Sequence, residues 1–132
     1  MTRRILQTNS YFDGTELHAN GPYQILIEDG VIQGILDGNP DVLPPDFKNA
    51  DIPVEQAGFV MPGLVEAHCH LFLDGGELDL KKRSNYMKVS KAEMAVVARQ
   101  NVQTNLATGI TLIRGAGDRW GVNHQMRQEM AE

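Results

Sequence analysis

A long amphipathic helix between two short apolar runs constrains the fold most strongly. Ser90-Lys-Ala-Glu93 has the form of a capping box, in which the first and last side chains bind free backbone amides at a helix start. Gly109 stands where a helix-ending glycine is expected. Between these positions an apolar stripe recurs at helical spacing, at Met94, Ala98, Val102 and Leu106, with Val97 alongside. The sequence therefore predicts a helix over residues 90–108.

The apolar runs on either side of this helix predict strands. Leu64–Phe72 precedes the helix and Ile110–Ile113 follows it, and a second helix is predicted over residues 122–130. The connecting segment 73–89 is predicted to be a loop. Parallel strands joined by a crossover helix are the simplest arrangement of such a series. Because two parallel strands need neighbours and helices on both faces, we expect the chain to be the beginning of a larger fold or one piece of an assembly.

The first half of the chain predicts short strands. Two apolar runs within residues 23–36 meet at Asp29-Gly30, a strong hairpin signal. Residues 37–50 are rich in proline, glycine and asparagine and predict a surface loop. Ile52–Gln56 predicts a further strand before a turn at Pro62-Gly63. A β-rich layer followed by alternating strands and helices is thus the expected architecture, of the α/β class.

Charge and hydropathy exclude several function classes. The net charge is −5, and the longest basic run is Lys81-Lys82-Arg83, which argues against a nucleic-acid partner. No stretch has the length and hydropathy of a signal peptide or membrane span. The single cysteine, Cys69, excludes an internal disulfide framework. We therefore expect a soluble, cytoplasmic protein without a membrane partner.

Two histidines end the first strand predicted after Pro62-Gly63. His68 and His70 are separated by one residue, so a strand places both imidazoles on one face, with Glu66 on the same face. Active sites of α/β folds lie at the carboxyl ends of parallel strands. Imidazole and carboxylate suit zinc, iron, manganese or nickel, and the spacing does not choose among them. The alternative is a pair of ordinary polar residues at a sheet edge.

Other residues allow a functional and a structural interpretation. Three charged side chains follow the two parallel strands and could contact a substrate, although solvated loop charges are the commoner explanation: Asp74, Arg114 and Asp118. Cys69 is expected to be a small buried apolar residue. His18 and His124 are expected at the surface, and Met126 and Met130 in the core.

The segment from Phe59 to Leu71, FVMPGLVEAHCHL, resembles the signature of the amidohydrolase superfamily. Asn105–Arg114 is similar to the end of that family's first barrel helix and its second strand, and Gly115–Asp118 to its glycine-rich loop. The imidazolonepropionase-like and prolidase-like subgroup is the most similar. The resemblance implies part of a β-sandwich in residues 1–60. It implies the first two strand–helix units of a (β/α)8 TIM-type barrel, cut short, in residues 61–132.

The same resemblance implies a metal-dependent hydrolase of amide-like C–N bonds in a small-molecule substrate. His68 and His70 would hold one or two divalent transition metals, with zinc the first choice. Glu66 departs from the family's usual aspartate. The family's other ligands and its general base lie on later strands, so we expect this chain to be inactive alone. It would need a complementary C-terminal polypeptide or a homo-oligomer.

Two alternatives belong to other classes of protein. The chain could be a non-catalytic assembly module derived from such an enzyme. Gly115-x-Gly117-x-x-x-Gly121 also follows a strand and precedes a helix, as a dinucleotide-binding turn does. It lacks the following strand and its acidic residue, so this signal is weak.

Overall fold

The structure, a computed structural model, describes residues 1–49 and 51–131 of this mixed α/β chain. They form two compact units, Met1–Pro62 and Gly63–Glu132. The strands of the first unit are β1 (Arg3–Thr8), β2 (Tyr11–Phe12), β3 (Leu17–His18), β4 (Tyr23–Glu28), β5 (Val31–Asp37) and β6 (Val54–Ala57). The second unit contains β7 (Leu64–Cys69), α1 (Leu80–Tyr86), α2 (Lys91–Ala107), β8 (Ile110–Gly115) and α3 (Val122–Glu129).

The first unit is built on a four-stranded sheet in the order β5-β4-β1-β6. The predicted hairpin between β4 and β5 is confirmed: Asp29 and Gly30 have φ values of 48° and 79°, as a two-residue turn of the mirror-image type requires. Phe47 is buried against Ile5 and Leu26. The prediction of a surface loop over residues 37–50 is therefore wrong at Phe47, whose segment Pro45–Phe47 forms a single turn of 3₁₀-helix.

The other sheet of this unit is the two-stranded β2–β3 hairpin, whose turn is held by hydrogen bonds to the Asp13 side chain. The Asp13 carboxylate accepts the backbone N–H groups of Thr15 and Glu16, both at 2.7 Å, and pairs with His18 Nε2 at 3.0 Å. The His18 ring stacks on Tyr11 with 4.4 Å between centroids. His18 thus lies at the surface, as predicted, with its side chain partly covered by these contacts.

This hairpin gives a prediction for acid unfolding. The amide of Glu16, the His18 ring and the amide of Thr15 lower the pKa of Asp13 from 3.8 to about 2. Because the folded-state pKa is depressed, the stabilisation is complete above the ordinary pKa and is lost as the pH falls through the folded value. We expect the gap in urea midpoint between the wild type and Asp13→Asn to shrink from about pH 4 to pH 2. A gap that stays constant over this range would contradict the assignment.

The second unit pairs β7 with β8 in parallel, as predicted. The chain enters β7 through Pro62-Gly63, where space is tight: a Cβ at Gly63 would lie 2.6 Å from the Cβ of Thr111. Glycine is therefore required for the close approach of this turn to β8. The capping box of α2 is confirmed, with both Ser90 and Glu93 making their reciprocal bonds. Gly109, with a φ of 85°, ends the helix as predicted.

A buried cluster joins the helices to the segment after β7. Its members are Leu71, Phe72, Met94, Ala95, Ala98, Val102, Val122 and Met126. The prediction that Met130 lies in the core is wrong, because its side chain is 55% exposed. Leu106 is 40% exposed, so the apolar stripe of α2 is buried mainly in its first three turns. Strand β7 also ends at Cys69 instead of Phe72, because Leu71 and Phe72 turn into this cluster.

Helix α1 lies within the segment predicted as a loop, and that prediction is wrong. The Asp79 side chain accepts the backbone N–H groups of Lys81 and Lys82 and so caps the helix start. None of the residues Leu80–Tyr86 is buried, so the helix has no apolar periodicity that a sequence could reveal. In residues 1–49 and 51–131, no helix has both the length and the hydropathy needed to cross a membrane.

Candidate metal site

The two histidines lie where the parallel strands β7 and β8 end at the same edge. His68 is the penultimate residue of β7, and His70 follows the strand directly. The centroids of the two imidazole rings are 5.4 Å apart, and the ring planes are inclined by 75°. His68 is exposed and His70 is half-buried. The structure therefore brings the two rings together, as their spacing predicts.

This separation fits two ligands of one metal ion. Two imidazoles that each bind one zinc through a nitrogen at about 2.0–2.1 Å have ring centroids about 5 Å apart. Catalytic zinc takes three protein ligands and a water. Within the described part of the chain, no group of three or more histidine, cysteine, aspartate or glutamate side chains could hold a metal. The pair thus fits a metal ion as part of a larger ligand set.

The loop after β8 determines which nitrogen His70 presents. The His70 Nδ1 atom lies 2.9 Å from the carbonyl oxygen of Gly117. Because a carbonyl oxygen can accept but not donate, the proton of a neutral His70 ring is on Nδ1 and the lone pair is on Nε2. Metal-binding histidines characteristically donate their second nitrogen to a carbonyl or carboxylate in this way. The loop is held to the end of β7 by the Ala116 N–H, which donates to the Cys69 carbonyl at 2.9 Å.

Glu66 is engaged with the backbone of the same strand end. Its Oε1 accepts the backbone N–H of His68 at 2.8 Å, which fixes the peptide unit before the first imidazole. The Cys69 side chain packs against the helix cluster. Burial, and then the Glu66 charge, raises the pKa of the Cys69 thiol, so the thiol is held in its protonated, weakly nucleophilic form.

A cavity of about 340 Å³ adjoins the histidine pair. Asp74 lines this cavity together with His68 and His70, and its Oδ1 accepts the Gly76 N–H at 2.9 Å. Among the described residues, Arg114 and Asp118 lie outside the cavity wall. The Arg114 guanidinium donates to the Ala67 carbonyl at 3.4 Å. Of the three predicted substrate-loop residues, the structure therefore places Asp74 beside the histidines.

Four polar residues of the cavity wall were not predicted from the sequence: Glu77, Arg83, Asn101 and Asn105. A usable signal exists for the two asparagines. Asn101 follows Met94, and Asn105 follows Ala98, each at position i+7, on the stripe of α2 that packs inwards. A polar residue on such a stripe indicates a specific hydrogen bond. Glu77 lies before helix α1 and Arg83 lies within it, and no periodic pattern in the sequence predicts this helix.

A larger groove of about 470 Å³ lies between α2, β8 and α3. Its wall is mainly apolar, with Leu106, Ile110 and Met130 among its members, and contains neither His68 nor His70. Groups that could bind a metal are concentrated at the smaller cavity. We therefore place the candidate site there.

In the glycine-rich turn after β8, a carboxylate occupies the position at the start of α3 where a dinucleotide phosphate would bind. An Asp118 side-chain oxygen accepts the backbone N–H of Asn123 in the first turn of α3. A dinucleotide-binding turn places a phosphate at that kind of helix start. The Asp118 carboxylate has the charge that repels a phosphate, which disfavours the dinucleotide interpretation.

Parts of several known proteins are similar to this chain in sequence or in fold. No family model matches the sequence. Over 54 residues the chain is 43% identical to a dihydroorotase from Acetivibrio thermocellus, an alignment that covers 41% of this chain and 11% of that enzyme. A crystal structure of a Xaa-Pro dipeptidase has a TM-score of 0.73 at 20% identity, covering 98% of this chain and 30% of the other. An amidohydrolase structure gives 0.71 at 23% identity, covering 98% and 29%.

Both solved structures contain the fold of this chain, which confirms the resemblance predicted from the sequence at the level of fold. The chain spans about one ninth of the dihydroorotase and less than one third of the two similar structures.

Proposed function

We propose that this chain forms the N-terminal part of a metal-dependent amidohydrolase that cleaves amide-like C–N bonds. The observation that carries the proposal is the imidazole pair at the shared carboxyl edge of β7 and β8, with the His70 proton held on Nδ1 by Gly117. The similarity to a dihydroorotase and to a Xaa-Pro dipeptidase supports the choice of hydrolase chemistry.

His68 and His70 would hold a divalent transition metal through imidazole nitrogens, and zinc is favoured because it accepts such ligands in an open catalytic site. When bound, such an ion lowers the pKa of a coordinated water and polarises a carbonyl oxygen. In this chain Gly117 orients the His70 ring, and Glu66 fixes the backbone before the His68 ring. Asp74, on the wall of the 340 Å³ cavity, is the residue that would contact a small-molecule substrate.

The remaining ligands and the general base would come from residues outside these 132. Two imidazoles are one ligand short of an ordinary catalytic zinc site. We propose that a complementary C-terminal polypeptide, continuous or separate, completes the site, and that the chain alone does not turn over substrate. A second copy of this chain is the other source of ligands.

The test is a zinc titration of the 132-residue chain, followed by nitrogen-15 NMR of the imidazole side chains. We expect the signals of His68 and His70 to shift together with zinc. His18 and His124 serve as internal references because they lie in the β2–β3 hairpin and on α3. Equal shifts of all four histidines, or none, would reject the metal site.

The hydrolytic part is tested by adding the complementary polypeptide and assaying amide, ureido and dipeptide substrates. Zinc-dependent turnover in the mixture, and none with the chain alone, is the expected result. A stable metal-free homo-oligomer without turnover would instead support the non-catalytic assembly module.

A further inference from the structure

Asn101 connects helix α2 to the turn that follows His70. Its side-chain amide nitrogen donates to two carbonyl oxygens, that of Leu71 at 2.7 Å and that of Leu73 at 3.1 Å. These partners are 30 and 28 residues away in the sequence. Both hydrogens of one amide are thus used on a single three-residue segment, and the side chain is half-buried.

The segment held by Asn101 begins directly after His70 and is tied back to it. The Leu73 N–H donates to the His70 carbonyl at 3.0 Å and closes the turn. Leu71 and Phe72 are buried in the helix cluster, but apolar burial is not directional. Hydrogen bonds are directional, so the amide of Asn101 sets the orientation of the peptide planes beside His70. The His70 ring that makes the 2.9 Å contact from Nδ1 to the Gly117 carbonyl belongs to the residue directly before those planes.

We propose that Asn101 is a positioning residue that holds His70 with Nε2 presented to the metal. Its effect on metal binding rests on the proposed function, whereas its effect on the His70 ring does not. Residues that orient a metal ligand typically change metal affinity by about 10–100-fold when they are mutated.

Asn105 provides a matched control. It lies one turn further along α2 and lines the same cavity. Its amide nitrogen donates to the Asn101 backbone carbonyl at 2.7 Å, within the helix. Replacement by leucine removes the same chemical group at both positions and keeps a similar side-chain size. Asn101→Leu, unlike Asn105→Leu, releases the Leu71–Leu73 segment.

The experiment measures two quantities in each variant: the His70 tautomer in metal-free chain, by imidazole nitrogen-15 NMR, and the zinc dissociation constant. We expect Asn101→Leu to mix the two tautomers and to weaken zinc binding by about tenfold. Asn105→Leu is expected to leave both quantities as in the wild type. Where Asn101→Leu does not fold, Asn101→Asp replaces it, because a carboxylate cannot donate either hydrogen bond. The added charge attracts cations, so weaker zinc binding by Asn101→Asp can be attributed to the lost donors.

The outcomes separate the two proposals. A wild-type tautomer and zinc affinity in the Asn101 variants, with zinc bound by His68 and His70, would overturn the positioning role and leave the proposed function intact. A mixed tautomer in Asn101→Leu, with no zinc bound by the wild type, would support positioning and reject the metal site.

Discussion

Replacement of either His68 or His70 by alanine is expected to remove metal from the intact enzyme that carries this sequence, and to lower its turnover by orders of magnitude. Each imidazole would supply one metal–nitrogen bond, and the described residues offer no third ligand close by that could substitute. Bound metal is measured by elemental mass spectrometry, and kcat/KM is measured on the best amide substrate found.

His124→Ala is the control for this experiment. His124 is exposed on α3, and its Nδ1 lies 3.2 Å from Nη2 of Arg127. It lines the groove between α2, β8 and α3, whose wall contains neither His68 nor His70. We expect this variant to keep its metal and its turnover. Retention of metal and of near-normal turnover in His68→Ala or His70→Ala would remove the basis of the site assignment.

The second large effect is expected on the stability of the fold, when Met126 in α3 is replaced by alanine. Met130 in the same helix provides the control. Met126 is 3% exposed within the helix cluster, whereas Met130, one turn later, is 55% exposed. Met126→Ala leaves a cavity and is expected to lower the free energy of unfolding by about 2–5 kcal/mol. Met130→Ala removes the same atoms from a solvated position and is expected to change it by at most about 0.5 kcal/mol.

Chemical denaturation of both variants, monitored by far-ultraviolet circular dichroism, measures these changes. Similar destabilisation by the two substitutions would show that Met130 is covered in solution, for example by a second copy of the chain. Equal and negligible effects would show that the helix cluster does not stabilise this unit.

Residues close in sequence could be interpreted without a structure. The hairpin at Asp29-Gly30 and the capping box at Ser90 each need only the few residues that form them. The pairing of His68 with His70 follows from the two-residue period of a strand. A resemblance over Phe59–Leu71 indicated the fold of which these elements are a part.

Features that depend on distant residues were decided by the tertiary structure. Helix α1 has a polar cap at Asp79 but no buried face, so its sequence contains no periodic signal. Met126 and Met130 are four residues apart, which would place both on one face of α3. The packing of α2 against α3 nevertheless buries Met126 and leaves Met130 in solvent.

The same distinction applies within the candidate site. The sequence by itself determined that the two imidazoles lie close together, because they are two residues apart at the end of one strand. The tertiary structure alone decided that Gly117, 47 residues away, fixes the nitrogen that carries the His70 proton, and that Asn101 holds the turn behind it. These hydrogen bonds join segments separated by whole helices and strands, and the direction of a hydrogen bond is defined only when the fold has brought its donor and acceptor together.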